Sequence, residues 1–167
     1  GAVDMASTLQ VDGAITTSDG MIITTADNTD TLTLISTDDD TAEGPILNFT
    51  RNPSGIAAGD LTGTIKFVAD DAGGNVTTYY EIQSSIEDGT DGGEDGRLTF
   101  MQTLGGSAVN MLDMLSGNVV FNQDSNDVDF RVESNGNTHM IFVDAGNDHV
   151  NIGAATDFGG TLNVAGN

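Results

Sequence analysis

Residues 76–100 read VTTYYEIQSSIEDGTDGGEDGRLTF, and this stretch decides the fold. In its first half, Val76, Thr78, Tyr80, Ile82, Ser84 and Ile86 alternate with Thr77, Tyr79, Glu81, Gln83, Ser85 and Glu87. A period of two is that of a strand, whose successive side chains point to opposite faces. The first set is mostly apolar and the second mostly polar, which predicts one side against a core and the other in water. Residues 88–96, DGTDGGEDG, then place four carboxylates and four glycines in nine positions. This is turn chemistry, since glycine accepts positive φ and Asp side chains satisfy nearby backbone groups. Alternation resumes in RLTFMQTL (97–104), with Leu98, Phe100 and Leu104 on one side. Two strands around such a turn predict a β-hairpin.

The strands continue on both sides. Upstream, PILNFTRN (45–52) places Leu47 and Phe49 on one face, and GTIKFVADD (63–71) does the same with Ile65, Phe67 and Ala69 before the turn DDAGGN. Downstream, SAVNMLDMLSG (107–117) fits a strand or one short helix, and we read it as a strand. Near the N-terminus the runs are shorter. TLQVDG, MIITT and DTLTLIS each end in Asp-Gly, Asp-Asn or an acidic cluster such as Asp38-Asp39-Asp40. From Asn118 onward VVFNQDSND, VDFRVESNGN, MIFVDAGND, HVNIGAATD and TLNVAGN follow one another, and Phe121, Val132, Val143, Ile152 and Val164 mark one strand each. One strand and one turn per unit suggests stacked hairpins or a solenoid-like rod. A single chain of such units has too few apolar residues to close a core, whereas three chains wound together would share one. TLQVDG (8–13) also recurs as TLNVAG (161–166).

Composition sets the limits. The chain has 167 residues, with 26 Asp+Glu against four Lys+Arg and a formal net charge of −22. Such a surface repels phosphate, which excludes nucleic acid and anionic membranes as partners. There is no cysteine, so neither disulfides nor thiolate metal sites exist, and a stable extracellular form needs another source of stability such as oligomerisation. No apolar run is long enough for a membrane span. Twenty-two glycines and two prolines indicate many tight turns, and abundant Thr, Val, Ile and Asn disfavour helix.

With these elements in place, GDLTGTIKFVADDAGGNVTTYYEIQSSIEDGTDGGEDGRLTFMQ (59–102) resembles a segment of bacteriophage tail-fibre proteins. Its marks are a Gly-Asp opening, an aromatic strand, a D-x-x-G-N turn, an alternating strand and a D-G-x-x-D-G-R-L-x-F hairpin. DFRVESNGNTHMIFVDAGNDHVNIGA (129–154) is similar to fibre-shaft sequence. The resemblance implies an all-β, elongated, intertwined homotrimeric fibre on a virion, hence extracellular. It would support recognition of a host-cell glycan or protein and join other tail proteins. The expected organisation is an N-terminal shaft-like β segment (1–42), an antiparallel, sandwich-like β-sheet domain (43–115) and a C-terminal repetitive shaft segment (116–167). A bacterial or archaeal surface filament or adhesin is the alternative, followed by a tailspike depolymerase segment.

No catalytic, cofactor-binding or metal-binding residue is assigned, and no enzymatic activity is expected. Asp88, Asp91, Glu94 and Asp95 could supply several of the six to eight oxygens that calcium takes, but EF-hand spacing is absent and a solvated hairpin turn is the preferred reading. Arg97 is expected to pair with a neighbouring carboxylate at the surface. A glycosidase needs two placed carboxylates, yet carboxylates are everywhere here, and the sugar-stacking aromatics are few: Tyr79, Tyr80, seven Phe and no Trp. His139 and His149 match no zinc spacing and are expected on exposed turns. Met111 and Met114 read as core filling.

Overall fold

The computed structural model describes residues 9, 11–41, 43–156 and 159–165, and these form two sheets with no helix. The chain divides into two compact units, Gly1–Leu47 and Asn48–Asn167. Both sheets lie in the second unit.

Among the described residues of the first unit no strand forms, and none forms before Leu61. The strands expected in MIITT, DTLTLIS and PILNFTRN therefore do not form, and the one expected in TLQVDG falls partly on Thr8 and Gln10, which lie outside the described residues. The alternation is present in the sequence, but a strand exists only when a neighbour takes its backbone N–H and C=O groups. Among the described residues no strand pairs with these runs. Turn chemistry still operates, since Thr29 N–H donates to Asp27 Oδ1 at 3.0 Å and the Thr25 and Thr31 hydroxyls meet at 3.0 Å. Ile15, Ile22, Ile23, Leu32, Leu34 and Ile35 remain exposed.

The first sheet is an antiparallel meander in the order β1 (Leu61–Asp70), β2 (Val76–Asp88), β3 (Asp95–Leu104), β4 (Ser107–Leu115) and β5 (Asn118–Phe121). The hairpin expected over 76–100 is the β2–β3 pair, with Ile82 opposite Phe100 and Asp88 opposite Asp95. The 107–117 stretch is a strand, as expected. The β1–β2 turn closes on Asp71, whose Oδ1 accepts the Gly73 and Asn75 N–H groups at 2.8 and 2.9 Å. Gly74 supplies the required positive φ of 78°.

The second sheet runs β6 (Phe130–Val132), β7 (Ile141–Asp144), β8 (His149–Ile152) and β9 (Leu162–Val164). Val132, Val143, Ile152 and Val164 each fall in their own strand, as the nine-to-twelve-residue spacing predicts. The first two pairings are antiparallel, but β9 lies parallel to β8. The link between the sheets is clamped by Asn122, at φ 59°. Its Nδ2 donates to Asn126 O at 2.7 Å and its Oδ1 accepts Asn126 N–H at 2.9 Å.

Burial contradicts the expected polarity of the sheets. The buried apolar side chains among the described residues are Val109 and Phe142, while Thr99, Asp113, Asn151 and Asn163 are buried polar ones. On the apolar set of β2, Val76 is 78 % and Tyr80 54 % exposed. The apolar set on β2 therefore does not meet a core within one chain.

The segment preceding β1 is strapped to the first sheet. Gly59 N–H donates to Ile86 O at 2.8 Å, Ile86 N–H donates to Asp60 O at 2.9 Å, and Arg51 pairs with Asp60 at 3.1 Å. Phe49 lies over Gly63, where a Cβ would sit 2.8 Å from the Phe49 Cβ. Because the obstructing atom is close to the Phe49 backbone, relief requires the strap to move. Gly63→Ala should cost about 1–3 kcal/mol by overpacking in chemical denaturation. Phe49→Ala in the same chain should recover part of that loss, and purely additive costs would mean the two sites are uncoupled.

Candidate functional site

The acidic loop is a hydrogen-bonded turn. Asp88 Oδ1 accepts the Thr90 N–H at 2.9 Å, Glu94 Oε1 accepts the Gly92 N–H at 3.1 Å, and Gly93 N–H donates to Thr90 O at 2.8 Å. The Asp88 carboxyl is held below its ordinary range by the Thr90 side-chain and backbone hydrogen bonds. Among the described residues no three His, Cys, Asp or Glu side chains converge in a way that would hold a metal ion. Asp88, Asp91, Glu94 and Asp95 are not brought together as a ligand set.

The histidines are more enclosed than expected. His139 is half-buried, edge-on to Phe142 with ring centroids 5.0 Å apart, and its Nδ1 meets the Thr138 hydroxyl at 2.8 Å. His149 opens β8 opposite Asp144 and is also half-buried. Phe142, against which His139 lies, is buried. Met111 is half-buried and Met114 exposed, so neither fills a core in a single chain.

Arg97 pairs across the sheet and not within its own loop. Its Nε donates to Asp113 Oδ1 at 2.8 Å and its Nη2 contacts Oδ2, while the Thr99 hydroxyl donates to Oδ1 at 2.9 Å. Asp113 has no exposed surface and Arg97 keeps about a third of its own. The three residues share the polar face, because Thr99 lies directly opposite Asp113 and Arg97 is two residues before Thr99. Lys66 and Glu81, 3.8 Å apart, form the second ion pair on that face. Cross-strand partners sixteen residues apart are invisible to local sequence reading, although R-x-T opposite a lone Asp is the trace they leave.

The opposite face carries the largest organised feature. Ile65 lies opposite Ile82, Ile82 opposite Phe100, Phe100 opposite Leu112 and Leu112 opposite Phe121. Phe121 then meets Phe130 of the second sheet, with ring centroids 4.7 Å apart. From Phe130 the row continues through Val143 and Val150 to Leu162. Nine apolar side chains thus form one ridge across nine strands. A second row, Val132, Ile141, Ile152 and Val164, flanks it on the second sheet. None of the thirteen is buried: exposure is 37 % at Val143, 40 % at Ile65, 53 % at Phe121 and 61 % at Leu162. No charged residue belongs to either row. Contiguous exposed apolar surface of this kind marks an interaction site on a soluble protein. One shallow cup along it is lined by Phe67, Tyr80, Glu81, Ile82, Phe100 and Met101, and its single carboxylate, Glu81, pairs with Lys66.

No protein-family model matches the chain, and no curated protein matches its sequence.

Asp113 generates a stability prediction with a defined pH dependence. Its carboxyl is held below the ordinary 3.8, chiefly by the Arg97 hydrogen bond and against the cost of burial. A lowered folded pKa contributes stability that is complete above the ordinary value and is lost as pH falls through the lowered one. Asp113→Ala should cost about 2–4 kcal/mol near neutral pH, since a buried pair loses one partner while Arg97 keeps water. Asp113→Asn should flatten the decline of stability below about pH 4, measured by urea unfolding across pH.

Proposed function

We propose that this chain is a structural segment of a bacteriophage tail fibre, assembled as a homotrimer that extends from the virion and supports attachment to a host-cell glycan or protein. The observation that carries the reading is the uncharged apolar ridge, continuous over both sheets and uncovered in a single chain. Further support comes from the extended, strandless apolar runs before Asp60, which need neighbouring chains before they can pair. The resemblance of 59–102 and 129–154 to fibre sequence supplies the identity of the assembly. A rod of this kind would hold a binding tip away from the particle, where weak contacts from several fibres add as avidity.

The energetics are consistent with such an assembly. Burying the remaining half of a Val, Ile, Leu or Phe side chain contributes about 1 kcal/mol, so thirteen contribute on the order of 10 kcal/mol per chain. Association costs of about 4–15 kcal/mol are of the same size, and the apolar runs of the first unit would add to the favourable side. Opposing them is the repulsion between copies that each carry a net charge of −22. That repulsion is screened beyond about 8 Å at physiological salt but reaches about 30 Å at 0.01 M.

Light scattering at micromolar concentration should give about 52 kDa, three chains of 17.2 kDa. Val143→Asp should reduce the mass to that of one chain, and low ionic strength should shift the unaltered chain the same way. A compact wild-type monomer at all salt concentrations contradicts the trimer. Immunogold labelling should decorate fibres on virions. Labelling of cell-surface filaments instead would replace the viral reading with that of an adhesin.

A further inference from the structure

Glycine follows asparagine once in this sequence, at Asn135-Gly136. The pair lies in the connection between β6 and β7, and both residues are exposed. The chain on either side is fixed. Ser134 N–H donates to Asn137 O at 2.8 Å, Met140 N–H donates to Val132 O at 3.0 Å, and Asn137 Nδ2 donates to Gly153 O at 2.8 Å. The pair itself is not held: among the described residues no hydrogen bond engages the Asn135 side chain or the Gly136 N–H. Other turn asparagines differ. Asn75 Nδ2 donates to Asp71, Asn122 Nδ2 to Asn126 O and Asn147 Nδ2 to Asp144, so each carboxamide is committed to a partner.

Nor does the fold need glycine at this place. Gly74 and Gly92 turn with φ of 78° and 79°, whereas neither Asn135 nor Gly136 has a positive φ. A Cβ built on Gly136 would meet nothing within 4 Å. What glycine supplies is access, because without a Cβ its backbone nitrogen is open to the side chain of the residue before it.

We propose that Asn135-Gly136 is a self-modification site, at which the protein converts Asn135 to a mixture of aspartate and isoaspartate with water as the only co-reactant. The Gly136 backbone nitrogen gives its proton to solvent base and attacks Asn135 Cγ. A new N–C bond closes a five-membered succinimide, the Cγ–Nδ2 bond breaks, and ammonia leaves with a proton from water. Water then opens the ring at one of its two carbonyls. Breaking the new bond gives aspartate on an ordinary backbone, and breaking the original peptide bond gives isoaspartate, whose chain runs through the former side chain. Each product adds a carboxylate two residues from Glu133, which already accepts from Arg131 at 2.7 Å. Isoaspartate also adds one atom to the backbone between Val132 and Ile141, a cross-strand pair of the flanking apolar row. The chemistry needs only this turn and stands whether or not the chain assembles.

Full chains aged at physiological temperature and mildly alkaline pH provide the test. Peptides are followed by mass spectrometry, with electron-transfer fragmentation to separate isoaspartate from aspartate. The Asn135 peptide should gain one mass unit about tenfold faster than those of Asn75, Asn122 and Asn147, with isoaspartate among the products and a rate that rises with pH. Gly136→Ala, for which the structure has room, should slow the conversion about tenfold and keep the melting temperature. An Asn135 that persists while Asn122 or Asn147 converts overturns the proposal, as does an unchanged rate in Gly136→Ala. So does conversion confined to chains unfolded in urea, which would show that the native turn keeps the pair from reacting.

Discussion

Cross-strand contact between Leu112 and Phe121, followed by the ring contact of Phe121 with Phe130, joins what would otherwise be two separate small sheets. Strands of the two sheets do not pack broadly on one another, so the continuity of the apolar side rests on this joint. Each sheet is one layer, and a layer needs a second one to bury its apolar face. Among the described residues of the second unit no second layer covers that face. The exposed Ile, Val, Leu and Phe and the small number of buried apolar residues follow from that shortage.

The polar sides solve a different problem. Asp113 beneath Arg97, with Thr99 beside it, and Asn163 bonded to Asn151, place directional contacts where a globular domain would place aliphatic packing. Net hydrogen bonds contribute about 1 kcal/mol each, less than full burial of a large apolar side chain. Their value here lies in register: a one-residue slip would separate Arg97 from Asp113 and turn every ridge residue to the other face. The three- and four-residue strands of the second sheet need such markers most, because their hydrophobic pattern repeats too closely to fix the pairing alone.

Much of this was legible in the sequence where the signal is local. The alternation of 76–88, the acidic glycine-rich turn and RLTFMQTL gave the central hairpin, and the spacing of Phe121, Val132, Val143, Ile152 and Val164 gave five strands. Three things were not legible. The strands expected before Asp60 have correct periodicity but no partner among the described residues, and periodicity reports which face a residue prefers without saying that a neighbour exists. The direction of burial was misread because alternation shows two faces, not which one is covered. The parallel return of β9 and the Arg97–Asp113 pair depend on residues twelve to sixteen positions apart, beyond the reach of pattern. The candidate site itself, the ridge, was half visible: its residues were identified as apolar strand faces, but their alignment into one row required the register of seven strand pairs.

Whether the ridge is covered in solution is directly measurable. The chain has no tryptophan, so Phe121→Trp places a single reporter at the joint between the sheets, at a position 53 % exposed in one chain. Its emission and its quenching by acrylamide should be read at micromolar concentration and again after dilution. Blue-shifted emission and weak quenching, reverting to red-shifted and strongly quenched on dilution, are the predicted result. Emission that is solvent-exposed and freely quenched at every concentration would contradict it.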